Sequence, residues 1–290
     1  MRTTTLGSTG EQIPVIGFGG MPLSIDGRPD EESGRRVIHA AIDAGMTFID
    51  TADVYCLDDE DIGHNERLIA AALRERKDRD QIRVATKAGM RRPKGAWTND
   101  GHPKHIREAC EKSLHALGVD QVFLYQFHVP DPAVHFEKSV EAFAELQREG
   151  KCKYVGLSNV SVKQMDIASR IVPIVSVQNR LNPFFRESLD NGVVYECGRR
   201  SITFLAYSPV GGGRLAKKLP GISVVAEIAA AYDVSPHAVV LAWLGTKGPT
   251  VVPIPAARTI EHAQDSAASA HLSLTPEELA AIDDAEFSRA

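Results

Sequence analysis

Eight short runs rich in β-branched and aromatic residues alternate with amphipathic stretches along this chain, and this alternation restricts its fold more than any other feature. The predicted strands are Val15–Phe18, Thr47–Asp50, Ile82–Lys87, Val122–His128, Lys153–Leu157, Ile174–Gln178, Ile202–Tyr207 and Thr250–Ile254. Strands that alternate with helices form parallel sheets. Because no linker or change of composition interrupts the pattern, it favours an α/β fold with one (β/α)8 TIM barrel domain spanning residues 1–290 over a two-domain doubly wound fold.

The stretches between the strands carry helix signals. Apolar residues recur at spacings of three or four, as in the series Ile106, Cys110, Leu114 and Leu117. Start and stop signals agree with this division: Gly45 and Gly150 at helix ends, Ser161 with Gln164 as a capping box, and Ser235-Pro236 and Thr275-Pro276 at helix starts. The first segment, Thr3 to Gln12, contains the turn Gly7-Ser8-Thr9-Gly10. It predicts a β-hairpin that closes the bottom of the barrel.

Composition limits the kind of partner. The chain has 290 residues, a net charge of −5 and dispersed Lys and Arg, which argues against a nucleic-acid surface. No apolar run approaches the roughly 18 residues of a membrane span, and the first residues do not resemble a targeting signal. The four cysteines are widely spaced, which favours reduced thiols. We therefore expect a cytoplasmic protein, a monomer or weak homo-oligomer, that acts on a small molecule and binds no membrane.

Four polar residues stand at or just after the ends of three successive predicted strands. They are Asp50, Tyr55, Lys87 and His128. In a parallel α/β barrel the carboxyl ends of the strands line one mouth, so these side chains are expected to meet there. A carboxylate, a phenol, an ammonium and an imidazole together describe a proton-transfer site beside a hydride donor.

Five strand-end motifs occur in the order in which the aldo-keto reductase family carries them. They are Asp50-Thr51-Ala52 with Tyr55, Thr86-Lys87, Tyr125-Gln126-Phe127-His128, Gly156-Leu157-Ser158-Asn159 and Ala206-Tyr207-Ser208-Pro209. The chain resembles this family from about Leu6 to Phe287. The resemblance implies a barrel enzyme that uses a nicotinamide cofactor to reduce the carbonyl of aldehydes and ketones. NADP(H) is the expected cofactor, with NAD(H) as the alternative.

The chemistry of carbonyl reduction assigns roles to the four residues. Hydride transfer leaves an alkoxide unless a proton donor reaches the carbonyl oxygen, and Tyr55 is the candidate donor. A cation at ~4 Å and an effective dielectric of ~20 favours phenolate by ~4 kcal/mol, so Lys87 is expected to lower the pKa of Tyr55. Asp50 would keep Lys87 charged. His128 would be mostly neutral and would orient the carbonyl oxygen.

The chain lacks a G-x-G-x-x-G fingerprint, so the barrel mouth itself is expected to bind the cofactor. Ser158, Asn159 and Gln178 match family positions that hold the nicotinamide carboxamide, and Tyr207 would stack on its ring. Ser208 and the segment Gly211, Gly212, Gly213 and Arg214 could surround the pyrophosphate with backbone N–H groups. The alternatives are a turn and helix cap for the Ser-Asn pair, a rim aromatic for Tyr207 and a flexible loop for the glycines.

The segment after the eighth strand resembles the family segment that binds the adenosine 2′-phosphate and adenine. Arg258 is the expected phosphate ligand, because a guanidinium forms bidentate bonds beside a helix N-terminus. The segment departs from the family pattern: Ala256 replaces a Gly, His262 a frequent Arg, and Asp265 and Ser266 a Glu/Asn pair. The resemblance still implies NADPH rather than NADH.

Two loops border the predicted mouth. The loop from Gly89 to Pro103 carries Arg91, Arg92 and Trp97, and Trp97 is the expected substrate-pocket residue, although it could instead pack the loop on the barrel. An acidic insertion, residues 57–61, could disfavour anionic substrates, contact a cationic one or simply be a solvated loop.

Two other functions are compatible with parts of the pattern. The first is a sensor that binds the dinucleotide but turns over poorly, although the four intact polar residues argue against it. The second is a metal-dependent hydrolase using Asp50, His64 and His128, but the chain has no compact cluster of ligands and no metal is expected.

Overall fold

A ring of eight parallel strands forms the centre of the computed structural model, which describes all residues from Met1 to Ala290. Two short hairpins accompany the ring. The strands are β1 Thr3–Thr5, β2 Gln12–Pro14, β3 Phe18–Gly19, β4 Phe48–Asp50, β5 Arg83–Ala88, β6 Met90–Arg91, β7 Thr98–Asn99, β8 Val122–Phe127, β9 Cys152–Ser158, β10 Ile174–Arg180, β11 Thr203–Tyr207 and β12 Val251–Pro253. The sheet order is β3-β4-β5-β8-β9-β10-β11-β12, with neighbours parallel.

The first and last strands of this order meet and close the barrel. Gly17 N donates to Pro253 O at 2.9 Å, and Gly19 N donates to Pro255 O at 2.8 Å. A Cβ added at Gly19 would lie 3.1 Å from Ile254 O, so glycine permits the close approach of the two strands. The predicted (β/α)8 barrel is therefore confirmed.

The predicted first strand is shifted from its observed position, whereas the ends of the other seven strands differ from the observed ones by no more than two residues. Val15 N donates to Arg2 O at 3.1 Å and so extends the N-terminal hairpin instead of the barrel. The barrel strand begins only at Phe18, next to the glycines that allow close pairing.

The N-terminal hairpin closes the bottom of the barrel, as predicted. β1 and β2 pair antiparallel, with Thr3 opposite Pro14 and Thr5 opposite Gln12. Leu6 and Ile13 are fully buried and belong to the same apolar cluster as Phe48 inside the barrel. The open mouth is therefore at the opposite end, where the strands have their carboxyl ends.

Twelve helices surround or cap the barrel. They are α1 Glu31–Asp43, α2 His64–Arg74, α3 Pro103–Leu117, α4 Phe136–Arg148, α5 Val162–Ser169, α6 Glu187–Asp190, α7 Val193–Arg199, α8 Gly213–Ala216, α9 Ser223–Tyr232, α10 Pro236–Gly245, α11 Ile260–Ala268 and α12 Pro276–Asp284. The predicted capping box of Ser161 and Gln164 is present, and Pro236 and Pro276 lie in the first turns of their helices. Gly45 and Gly150 follow helix ends with φ of 97° and 75°.

The alternation of side chains along the strands creates the site. Phe48, Ala85 and Leu124 fill the barrel interior with other apolar residues. Successive side chains on a strand point to opposite faces, so the residue two positions further on also points inward. At that next level the strands carry Asp50, Lys87, and Gln126. The polar layer therefore lies directly above the apolar one, facing the mouth.

No single helix has the length and apolar composition needed to cross a membrane; only α9 and α10 taken together meet those two criteria, and they are bent by 96° relative to each other. All four cysteines are buried free thiols.

Candidate active site

A fully buried lysine organises the polar layer at the mouth. Lys87 Nζ donates to Asp50 Oδ2 at 2.6 Å, to Thr51 O at 2.9 Å and to Tyr55 OH at 3.0 Å. An ammonium group has three donors, and each of them has an acceptor here. Because the Tyr55 oxygen accepts a bond from Lys87, the hydroxyl proton of Tyr55 is directed elsewhere.

The sheet register and the turn after β4 bring these groups together. β4 and β5 are neighbours, and Asp50 lies opposite Ala85. Lys87 follows Ala85 by two residues on β5, so its side chain also points into the barrel, one level closer to the mouth. Tyr55 lies on the turn that follows β4. Asn65 N, at the start of α2, donates to Tyr55 O at 3.3 Å, while the Asn65 side chain accepts a hydrogen bond from Thr51 Oγ1 at 2.6 Å. The first turn of α2 thus fixes the segment that carries Tyr55.

The second oxygen of Asp50 accepts hydrogen bonds from two glutamines. Gln126 Nε2 donates at 3.0 Å and Gln178 Nε2 at 2.7 Å. Sequence reasoning did not select Gln126 because it lies between Tyr125 and Phe127 in an apolar run. The strand alternation was the available signal, since both aromatic neighbours face the helices and Gln126 therefore faces the barrel.

His128 follows β8 and lies beside Tyr55. The two ring centroids are 5.8 Å apart with an interplanar angle of 83°. His128 is buried, and its Nδ1 atom has no hydrogen-bond partner in the protein. Burial, reinforced by the positive charge of Lys87, holds the pKa of His128 well below its ordinary value, so the imidazole is neutral at neutral pH.

The pKa values of the other two groups both rise. Burial lowers the pKa of Lys87, but the charges and hydrogen bonds of Asp50 and Tyr55 outweigh it, so the net pKa is raised and the ammonium is retained. Burial also raises the pKa of Tyr55, and the opposing effect of Lys87 is smaller. The expectation that Lys87 would bring the pKa of Tyr55 below its ordinary value is therefore wrong, because desolvation of the phenolate dominates.

Trp97 forms a wall beside Tyr55. Their ring centroids are 6.4 Å apart at an interplanar angle of 71°. On its other side Trp97 contacts the guanidinium of Arg92, whose Cζ lies 3.9 Å from the ring centroid. Sequence reasoning named Arg92 only as a member of the loop, because nothing in a loop sequence shows which way a side chain points.

The acidic insertion before α2 is partly bound by its neighbours. Asp61 forms an ion pair with Arg28 at 2.5 Å, and Asp59 Oδ1 accepts a hydrogen bond from Lys94 N at 3.1 Å. Two of its carboxylates therefore fasten the insertion to adjacent loops, and the insertion is not simply a solvated loop.

The residues predicted for the nicotinamide end the adjacent strands β9, β10 and β11. Asn159 has a left-handed backbone with φ of 57°, and its Nδ2 donates to His128 O at 3.0 Å and to Ser158 Oγ at 3.1 Å. Tyr207 OH donates to Asn159 Oδ1 at 2.9 Å. Gln178 has its amide nitrogen bound to Asp50, leaving its carbonyl oxygen for a ligand. The structure brings these residues together next to His128.

The glycine segment after β11 has an unusual backbone. Gly211, Gly212 and Gly213 have φ of 94°, 66° and 43°, values that favour glycine, and Ser208 shares the left-handed region with φ of 48°. Arg214, which follows, donates to Arg289 O at 2.7 Å and to Ala290 O at 3.0 Å. Its guanidinium is thus engaged by backbone carbonyls.

Two of the residues predicted for the adenosine end are bonded to other parts of the chain. Arg258 donates to Asp26 O at 2.7 Å and to Pro22 O at 3.2 Å. Asp265 Oδ2 accepts a hydrogen bond from Ser235 Oγ at 2.6 Å, which turns its side chain toward the start of α10.

The two other residues predicted for this end belong to α11. His262 is exposed, and its backbone N donates to the cap residue Thr259 at 3.2 Å. Ser266 is half-buried in the same helix.

Comparison with known proteins gives consistent matches along the chain. The profile of the Aldo/keto reductase family matches residues 15–286. The aldo-keto reductase str7 of Strobilurus tenacellus is 32% identical, with 93% of this chain and 88% of that protein covered. An uncharacterized oxidoreductase of Schizosaccharomyces pombe is 31% identical, with 93% and 85% covered.

Solved structures of aldo-keto reductases superpose closely on this chain. The thermostable aldo-keto reductase Tm1743, in complex with the inhibitor epalrestat, is 29% identical and has a TM-score of 0.84, with 98% of this chain and 99% of that chain covered. An aldo/keto reductase from Klebsiella pneumoniae in complex with NADP and acetate is 26% identical and has a TM-score of 0.81, with 98% and 95% covered.

Proposed function

This chain belongs to the aldo/keto reductase family, and on that premise we propose that it transfers hydride from NADPH to the carbonyl carbon of an aldehyde or ketone, with Tyr55 as the general acid. The reverse reaction would oxidise the alcohol. The observation that carries the proposal is the 3.0 Å hydrogen bond from Lys87 Nζ to Tyr55 OH above the buried pair of Lys87 and Asp50.

Tyr55 would supply the proton that the reduced carbonyl requires. Its oxygen already accepts a hydrogen bond from Lys87, so its own proton is available to a carbonyl oxygen at the mouth. Its raised pKa keeps the phenol protonated across the neutral range. When the proton leaves, the ammonium 3.0 Å away stabilises the phenolate that remains.

The other side chains would prepare this transfer. Asp50 keeps Lys87 charged, and Gln126 and Gln178 hold Asp50 through its second oxygen. His128 is neutral, so it would orient the carbonyl oxygen by a hydrogen bond and would not compete with Tyr55 as a strong acid. Trp97 would form the wall of the substrate pocket.

The residues at the other half of the mouth fit a pyridine dinucleotide, which when bound supplies the hydride. Gln178 has a carbonyl oxygen without a protein partner, and Arg258 is held only by two backbone carbonyls. Ser158, Asn159 and Gln178 would bind the carboxamide and Tyr207 would cover the ring. The pyrophosphate would be held by Ser208, Gly211, Gly213 and Arg214, and the adenosine 2′-phosphate by Arg258. His262, Asp265 and Ser266 would lie at the adenine end.

A phosphate-binding arginine at the adenosine end supports NADPH as the preferred cofactor, with NADH as a weaker substitute. The Klebsiella pneumoniae aldo/keto reductase described above is in complex with NADP, and a second structure of an aldo-keto reductase from Klebsiella pneumoniae is in complex with NADPH. Those ligands are properties of the relatives, and they agree with the preference that Arg258 suggests.

The test is the consumption of NADPH by the purified protein across a panel of aldehydes and ketones. We expect measurable turnover with at least one class, and a chelator in the assay should not change the rate. Tight binding of NADPH without turnover of any carbonyl would refute the reductase and favour a sensor.

A further inference from the structure

Arg92 is a buried cation at the mouth that the proposed mechanism does not use. It is 6% exposed, and its Nη2 donates to Cys56 O at 3.1 Å and to Leu57 O at 2.8 Å. Trp97 lies against the guanidinium at 3.9 Å. No carboxylate forms an ion pair with Arg92, and its Nε and Nη1 atoms are buried without a hydrogen-bond partner in the protein.

A buried guanidinium with two unbonded donors is energetically unfavourable unless a hydrogen-bond acceptor binds them. The guanidinium is charged at every accessible pH, and its N–H groups cannot lose their protons to avoid the cost of burial. Buried polar groups in proteins are almost always hydrogen-bonded, and an unpaired buried charge is costly. The two free donors therefore mark a place where an acceptor, and an anionic one above all, would be stabilised.

Arg92 is bonded to the segment that carries the proposed proton donor. Cys56 and Leu57, whose carbonyls hold Arg92, directly follow Tyr55 in the chain. Trp97 lies between Tyr55 and Arg92. Its ring centroid is 6.4 Å from that of Tyr55 and 3.9 Å from Cζ of Arg92. A molecule whose carbonyl oxygen reaches Tyr55 would thus place its remaining atoms along Trp97 and next to Arg92.

The nearby acidic insertion does not neutralise this cation. Asp61 is paired with Arg28, and Asp59 is bonded to the backbone of Lys94. None of the carboxylates of the insertion forms an ion pair with Arg92, so the charge of Arg92 stays available to a ligand.

We propose that Arg92 is a specificity-determining residue that binds a carboxylate on the substrate, so that the enzyme prefers aldehydes and ketones carrying a carboxylate a few atoms from the carbonyl. This inference rests on the proposed reductase function. Trp97, 44% exposed, lies over the guanidinium, so its ring would have to move aside for a carboxylate to bind. A carboxylate and a guanidinium form charge-assisted hydrogen bonds, which are stronger than neutral ones.

The test compares 4-formylbenzoate with its methyl ester, which has the same aldehyde but no charge. For the wild type we expect kcat/KM to favour the carboxylate by about tenfold or more, mainly through a lower KM. In Arg92→Met this preference should fall by about tenfold or more. Arg91→Met is the matched control, because Arg91 is the neighbouring cation, has an exposed side chain and is paired with Asp100; its preference should stay as in the wild type.

Several results would overturn the inference. Equal losses on both substrates in Arg92→Met would make Arg92 a structural anchor of the loop and leave the reductase intact. A wild-type preference for the ester would also refute it.

A second measurement does not depend on turnover and so separates failure of the inference from failure of the reductase. Benzoate binding, followed by titration calorimetry in wild type and Arg92→Met, should weaken by about tenfold in the variant, whereas benzamide binding should not. Equal benzoate affinity in the two proteins contradicts the carboxylate site even if neither aldehyde is reduced.

Discussion

Lys87 Nζ lies 3.0 Å from Tyr55 OH and donates its third hydrogen bond to that oxygen. The other two donors of the same ammonium are fixed by Asp50 and by the carbonyl of Thr51. A charge held by three acceptors cannot rotate away, so Tyr55 has a fixed cation beside the atom that would become negative.

Lys87→Met should destabilise the protein and stop catalysis. The substitution leaves Asp50 buried without its cation, and breaking a buried ion pair by removing one partner costs about 3–5 kcal/mol of the free energy of unfolding. Denaturant titration measures this loss. The double variant Lys87→Met with Asp50→Asn should recover a large part of the stability but none of the activity; additive losses would show that the pair is not coupled.

His128 should make the folded state less stable at acid pH. Its folded pKa lies well below the unfolded value of 6.5, so between those two values the unfolded chain binds more protons and stability falls as pH falls. The slope contributed is at most about 1.4 kcal/mol per pH unit. Thermal melts from pH 7 to pH 5 should show a shallower loss in His128→Gln than in wild type. Identical slopes would mean that His128 titrates in the folded state as it does in the unfolded chain.

Asp53 is a buried carboxyl group outside the mechanism, and it should limit stability at higher pH. Burial, together with the nearby Glu66, raises the pKa of Asp53 well above its ordinary value. The folded state then binds the proton of Asp53 more tightly, so the contribution of this group to stability is greatest below the unfolded pKa of 3.8 and is lost as pH rises through the folded pKa. Asp53→Asn keeps an oxygen for Val54 N and should raise the melting temperature at pH 7 to 8; a lower melting temperature would contradict the account.

Arg258→Met should weaken the use of NADPH much more than the use of NADH. If Arg258 binds the 2′-phosphate, its loss should raise the KM for NADPH by about tenfold or more and leave the KM for NADH nearly unchanged. Steady-state kinetics with each cofactor measures this split. Parallel increases would indicate that Arg258 only holds the loop of Pro22 and Asp26, whose carbonyls it contacts.

The sequence was sufficient to predict the barrel, its bottom hairpin and the residues that surround Lys87. Each of Asp50, Lys87 and His128 stands at or next to a strand end, and strand ends in a parallel barrel converge. The shift of the first strand was missed because the pairing starts at Gly17 and Gly19, where two strands approach too closely for side chains.

Other features depend on burial, which a sequence does not display. The net direction of the pKa of Tyr55 follows from desolvation, so the charge of Lys87 alone gave the wrong sign. Gln126 was missed among apolar neighbours. The side chains of Arg92 and Asp265 are placed by loops and helix starts, for which no periodicity gives a direction.

Tyr55→Phe tests the central claim most directly, because it removes one oxygen and leaves the ring against Trp97 and His128. With NADPH binding checked by fluorescence titration, we predict a loss of at least about 100-fold in kcat/KM for carbonyl reduction and little change in the dissociation constant of NADPH. Tyr154→Phe, remote from the site and packed on Phe123, is the control and should keep its activity. Turnover by Tyr55→Phe equal to that of the wild type would contradict the account.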